Sequence, residues 1–303
     1  MKFIMHLTIQ NIKRRRVRTI LTLLGVMIGV VAAVVSLLSL GMGVKRELLQ
    51  GYGDDASIRQ ITVQTPENNQ NKKMLLTDHT IEKLAKLDKV ANVYPRYEVF
   101  TNIQVGQYTA YTNLVGIPSE QLSAIALTDT SSLSEHARKP ELVIGNAMGY
   151  MFFHEGSMTS YQDGKGDLNA WIGEKAKVSL GLDENEITDR LTIAGVMQGD
   201  ADEFSEQSQS IYCDIDVLRA YLKKHAAQGN VLGQPLDKNG NAYTSWVYSS
   251  VVVEVGKMED VEFVVKKLQD MGYQTTNMKE YRDTAMRTVR MPVSYTHLRA
   301  HET

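Results

Sequence analysis

Residues 19–44 read TILTLLGVMIGVVAAVVSLLSLGMGV, 26 positions without one ionisable side chain. About 20 helical residues cross the hydrocarbon core of a bilayer, and no proline breaks this run, so the pattern predicts a transmembrane helix. Lys13, Arg14, Arg15, Arg16 and Arg18 stand at its front edge. Basic residues flanking a span favour the cytoplasmic side, which predicts residues 1–18 inside and everything after Val44 outside. A cleaved signal peptide would have an apolar core of about 7–15 residues ending in an A-x-A-like site. This run is longer and ends in Leu40-Gly41-Met42-Gly43, so an uncleaved anchor in the cell membrane is the reading.

Working outward, residues 1–18 carry Met5, Ile9 and Ile12 at helical spacing before the basic cluster, the pattern of an amphipathic segment at the cytoplasmic interface. Within the span, Gly25, Gly29, Ala33 and Ser36 recur on one side and would let a second helix approach closely. Anionic lipid headgroups are the expected partners of the basic cluster. With a formal net charge of -2 over 303 residues, nothing marks the chain as a nucleic-acid binder. The single cysteine, Cys213, excludes an internal disulfide, so the outer part must be held by its own core.

Beyond the span the pattern predicts an α+β fold. A strand over 58–65, a helix opening at Thr77 and a strand over 90–94 form one unit. A second comprises a strand over 246–255, a helix over 259–271 stopped by Gly272, and a strand over 273–276. Together they read as a discontinuous mixed α/β subdomain, residues 45–130 and 245–278, interrupted by an inserted β-rich subdomain, 131–244. A β region over 97–117 turns at Gly106. The insertion holds a helix over 146–154, a flexible glycine-rich excursion over 155–168, strands over 176–180, 190–196 and 211–214, and a helix over 217–224. A helix over 279–291 reads as a stalk, and residues 292–303, without apolar periodicity, are set aside as a non-native tail.

No motif for resident chemistry emerges. The sequence holds no G-x-x-x-x-G-K-[ST], H-E-x-x-H or G-x-S-x-G. Cys213 lies in an apolar strand and reads as a core residue, since a nucleophile needs a base within reach, and spacing puts neither His154 nor His225 beside it. Asp237-Lys-Asn-Gly-Asn begins like a calcium loop but has Ala242 and Tyr248 where Gly and Glu belong, so Asn239-Gly240 reads as a hairpin turn. Residues 163–167, DGKGD, read as another turn, and Asp200, Asp202, Glu203 and Glu206 as a solvated acidic loop. Catalytic, cofactor and metal residues are expected to be absent.

The run NIKRRRVRTILTLLGVMIGVVAAVVSLLSLGMGVKRELL resembles the opening of the MacB/FtsX-like family of ABC transporter permeases. Arg15, Arg18, Leu21, Thr22, Leu24, Gly25, Ile28, Gly29 and Gly43 carry the resemblance, with softer echoes in ITVQTP, LVIG, LTIAGVM and the segment 251–276. It implies a dimeric permease, homo- or heterodimeric, with four spans, driven by a cytoplasmic ABC ATPase that holds the ATP and magnesium. It also implies an outer domain that moves with hydrolysis, with an extracytoplasmic adaptor or substrate protein as a further partner. The expected function is export of a peptide, antibiotic or lipoprotein-type substrate. The alternative is a membrane-anchored binding or signalling module that regulates a cell-wall hydrolase. Either way the chain is not an enzyme by itself, and with one span it reads as a truncated permease.

Overall fold

The computed structural model describes residues 17, 21, 24–36 and 39, then 58–66, 74–134, 136–181, 186–202, 205–226, 230–237 and 239–278. The chain divides into two compact units, residues 1–49 and 50–303. In the first, residues 24–36 are helical with their apolar side chains exposed. Among the described residues no helix is long and apolar enough to cross a membrane. The basic cluster, much of the 19–44 run, and the 279–291 and 292–303 segments lie outside the described residues.

The second unit is mixed α/β. Strand β1 (Gln60–Gln64) buries Ile61 and Val63 on alternate positions. It lies between β10 (Gln274–Asn277) and β9 (Ser250–Val255), antiparallel to both, and β9 pairs in turn with β2 (Val90–Val105). As an interior strand, β9 is buried along nearly its whole SVVVEV length. One face of this sheet carries Ile61, Val63, Val251 and Val253 into a core shared with Leu84 of α1 (Asp78–Ala85) and with Val261, Val264 and Leu268. Those three belong to helix α4 (Val261–Asp270), which ends as Gly272 adopts φ +93°.

Strand β2 is where the architecture turns. Its first part, Val90–Arg96, pairs with β9. From Tyr97 it pairs with β3 (Tyr108–Ile117), and from Thr101 also with β6 (Lys175–Leu180). Following the partners around, β6 pairs with β7 (Ile187–Val196), β7 with β4 (Leu142–Ile144), β4 with β8 (Ile211–Asp214), and β8 with β3. The circuit closes into a six-stranded ring, which leaves no free edges among those strands. Pro95 is tolerated in mid-strand because there β2 has a partner on one side only, β9. Strand pairing divides the chain by a different criterion from composition, and it places 97–117 within the ring.

Alternation in the ring strands sorts two cores. Leu114, Leu142, Ile144, Ile211 and Cys213 join the main core, while Val115, Ile117, Val143 and Tyr212 form a second with Leu122 of α2 (Ser119–Ala124). Helix α3 (Ile215–Lys224) starts on Asp214, whose side chain accepts from the backbone N–H of Asp216 and Val217. It packs against Gly116, where a β-carbon would lie 3.0 Å from Leu218 Cδ2.

Two local expectations are corrected. The predicted helix over 146–154 is a short 3-10 turn, Met148–Tyr150, followed by strand β5 (Phe153–His154). The segment is tied sideways instead of along its own axis: Tyr161 N–H donates to the Phe152 carbonyl and Gln162 N–H to that of Gly149. The glycine-rich stretch after it is a set of hydrogen-bonded turns pinned by Tyr161, whose ring stacks on Trp171 at 4.2 Å.

Candidate functional site

The sheet face opposite α1 and α4 is polar. Gln60, Asn92, Tyr94, Arg96, Ser250 and Glu254 project there, since residues directly opposite in an antiparallel pair share a face, and Tyr94 pairs with Val252, Arg96 with Ser250. Where β2 passes into the ring, this face forms the floor of a groove of about 540 Å³. One wall is α2 and the residues after it, with Gln121 and Ile125. Another is formed by Met197 and Gln198 and by Ser205, Gln207 and Ser208, and Tyr212 of β8 also lines it.

Arg96 lines the groove. Its side chain is 11 % exposed, it donates from Nη1 to Glu206 Oε1 at 2.6 Å, and Nη2 lies 3.8 Å from Glu98 Oε1. Burial pulls the guanidinium's pKa down, but Glu206, Tyr212 and Glu98 outweigh it and the net direction is up. Burial pushes the Tyr212 hydroxyl up to about 12 and moves Tyr94 in the same direction, with Glu254 adding to the latter. Both phenols are therefore neutral donors across the physiological range.

The wall at 205–208 is fixed locally. Ser205 N–H donates to Ser208 Oγ at 2.7 Å and Ser208 N–H to Ser205 Oγ at 3.0 Å. It is tied to the ring by Ala147 N–H donating to the Ser208 carbonyl and Gly145 N–H to that of Ser210. Asp200, Asp202 and Glu206, expected to be merely solvated, are used as follows. Glu206 holds Arg96, Asp202 accepts from Tyr150 Oη, and Asp200 accepts the Asp202 N–H and lends its carbonyl to Asn146. Glu203 lies outside the described residues.

The residues singled out from sequence fall elsewhere. Lys13, Arg14, Arg15, Arg16 and Arg18 lie outside the described residues. Gly25, Gly29, Ala33 and Ser36 lie in the 24–36 helix, and a β-carbon at Gly25 or Gly29 would meet nothing within 4 Å. Cys213 is fully buried in the main core and burial pushes its thiol pKa up, the state of an inert core residue. His154 contacts Gln107 and the Glu155 carbonyl, and His225 contacts the Tyr221 carbonyl. Asn239-Gly240 sits in the predicted hairpin turn, with Asp237 N–H donating to the Asn241 carbonyl at 2.8 Å. Among the described residues no cluster of three His, Cys, Asp or Glu could hold a metal.

Arg96 itself was missed in sequence. Its signal is the alternation Tyr94, Arg96, Glu98, which identifies one sheet face only if the strand runs straight through Pro95.

The second unit is thus a mixed α/β domain whose sheet shares one long strand with a closed β ring. The chain belongs to the MacB-like periplasmic core domain family, whose family model matches residues 19–271. It is similar to the macrolide export ATP-binding/permease protein MacB of Bartonella henselae, 28 % identical over 162 residues. That match takes in 50 % of this chain, which spans only 24 % of the relative's length. The periplasmic region of MacB from Actinobacillus actinomycetemcomitans matches 76 % of this chain and 94 % of its own, with 13 % identity and a TM-score of 0.42. The extracellular domain of the noncanonic ABC-type transporter YknZ from Gram-positive bacteria matches 72 % of this chain and 98 % of its own, with 14 % identity and a TM-score of 0.39. Neither likeness adds to what the family match and the strand pairing establish.

Proposed function

We propose that the chain is a permease component of a MacB-like ABC transporter, anchored by the 19–44 helix with its α/β domain outside the cytoplasm. The observation that carries this reading is the family match over 19–271, which takes in the whole apolar run 19–44 fronted by five basic residues. By likeness to the ATP-binding/permease relative, ATP and magnesium are assigned to a cytoplasmic ABC ATPase that partners this chain. Hydrolysis there moves the outer domain, and the work is export of a peptide, antibiotic or lipoprotein-type substrate. The small-residue face of the helix supports a dimer of permeases, and lipid headgroups meet Lys13–Arg18.

The test is recovery of the tagged chain from its native membrane in mild detergent. The reading predicts a co-purifying subunit with a G-x-x-x-x-G-K-[ST] motif and ATP hydrolysis that disappears when that subunit is removed. Recovery of the chain with no such subunit and no ATP hydrolysis would contradict it.

A further inference from the structure

The outer face of the ring, turned away from its core, is laid out by strand register. Along β2, Val99, Thr101, Ile103 and Val105 are buried, so Phe100, Asn102 and Gln104 turn outward. Residues directly opposite in antiparallel strands share a face, and the pairings carry this one across five strands. One row runs Phe153 of β5, Thr109 of β3, Gln104 of β2, Lys177 of β6 and Arg190 of β7. The row beside it runs Tyr111, Asn102, Ser179 and Thr188. With strands about 4.8 Å apart, the first row is about 19 Å long. Tyr111 is 64 % exposed and Phe153 41 %, and Lys177 and Arg190 are exposed with them.

The β6–β7 end of this face is positively charged without compensation. Lys177 and Arg190 stand directly opposite each other, an arrangement of like charges that destabilises a sheet. Lys175, two residues before Lys177 on the same face, adds a third cation. Among the described residues no carboxylate forms an ion pair with any of the three. Glu186, at the turn end of the hairpin, feels Lys177 from beyond pairing distance and accepts from Thr188 Oγ1.

That charge is complementary to an anion, and the rest of the face decides which kind. An extended peptide adds to a sheet through free main-chain groups, but along these rows β2 and β6 have partners on both sides. A second copy would set cations against cations. The core of a protein–protein interface is depleted in Lys and Ser, whereas this face is built mainly of cations, hydroxyls and carboxamides. Thr109, Gln104, Asn113 and Thr188 can each donate to and accept from a sugar hydroxyl. The exposed rings of Tyr111 and Phe153 offer apolar faces to sugar C–H groups.

We propose that this outer face binds a linear polysaccharide bearing carboxylates, with acid groups on Lys177 and Arg190 and a sugar ring on Tyr111. Binding needs neither a nucleotide nor an ATPase, so it can fail while the transport reading stands.

The test is binding of the full chain to immobilised polygalacturonate, in a polyoxyethylene detergent that has no sugar headgroup. Dextran serves as the uncharged polysaccharide and polyglutamate as the acidic peptide. Polygalacturonate should bind saturably, dextran should not, and polyglutamate should bind at least tenfold more weakly. Lys177→Gln with Arg190→Gln should weaken polygalacturonate binding at least tenfold, with a denaturation midpoint no lower than the parent's because a like-charge pair is gone. Tyr111→Ala, which leaves every charge in place including the basic cluster at 13–18, should weaken it several-fold. No binding of polygalacturonate, equal binding of dextran or polyglutamate, or binding unmoved in either variant would overturn the proposal.

Discussion

A β-carbon placed on Gly145 would lie 2.2 Å from the carbonyl oxygen of Ser208 and 2.6 Å from its carbonyl carbon. The end of β4 therefore touches, backbone to backbone, the turn that walls the groove. Gly145 N–H and Ala147 N–H donate into that turn, so the contact is held from both sides. Gly145→Ala must push two backbones apart, and overpacking of this kind costs about 3 kcal/mol. Chemical denaturation of the variant should show that loss, with faster amide exchange over 205–210.

Asp189 joins three parts of the ring domain. It takes Lys139 Nζ at 2.6 Å and the Tyr221 hydroxyl of α3 at 2.9 Å, each on Oδ2. The Lys139 contact leads in holding its pKa down to about 2, against an ordinary value of 3.8, with the Arg190 N–H and Tyr221 adding. Because the folded value is the lower one, the stabilisation is present above pH 3.8 and is lost as pH falls through about 2. Lys139 is more than half exposed, so the effect is discounted for screening, and Asp189→Asn should cost about 1 kcal/mol at pH 7. Denaturation at pH 7 and at pH 2 tests this: the difference between variant and parent should shrink at the acid end.

Cys213 tests the ring core in the alkaline direction. Its buried thiol has a pKa raised above the ordinary 9.0. The folded chain keeps that proton while the unfolded chain loses it, so this residue's contribution to stability falls as pH rises past 9.0. An aromatic disulfide reagent should leave the native protein unlabelled at pH 8 and label it stoichiometrically in denaturant. Rapid native labelling would show that the ring is open.

Much of the α/β sheet was legible because its signals are local. The run at 251–255, the apolar spacing of Val261, Val264 and Leu268, and the stop at Gly272 each declare an element within a few residues. Cys213 in a buried strand and the Asn239-Gly240 turn were legible for the same reason. The ring was not. Its closure depends on β2 continuing through Pro95 and on β3 reaching β8, about 100 residues on, and no local pattern encodes a partner that distant. The Arg96 groove was hidden with it: an Arg between a proline and a tyrosine looks like a loop until the strand is known to be straight. Residues 146–154 misled because their apolar content fits a helix, while the ties to 161 and 162 that hold them as a turn are tertiary.

The small-residue face of the 24–36 helix gives a prediction on assembly. Close backbone approach depends on the lack of side chains at Gly25 and Gly29, which stand one helical turn apart. Gly25→Leu with Gly29→Leu should reduce recovery of a dimer from detergent several-fold, read by cross-linking, without altering the denaturation of the outer domain. An unchanged dimer yield would assign the interface to another face.

The central claim is that the α/β domain stands outside the membrane with the basic N-terminal segment inside. The most direct test is topology mapping in a Cys213→Ala background, with one new cysteine at Met158, which is 94 % exposed, and in a second variant at Thr8. A membrane-impermeant maleimide is applied to intact spheroplasts. The account predicts that Met158→Cys is labelled at once and Thr8→Cys only after permeabilisation. Labelling of Thr8→Cys in intact spheroplasts with Met158→Cys protected would contradict it.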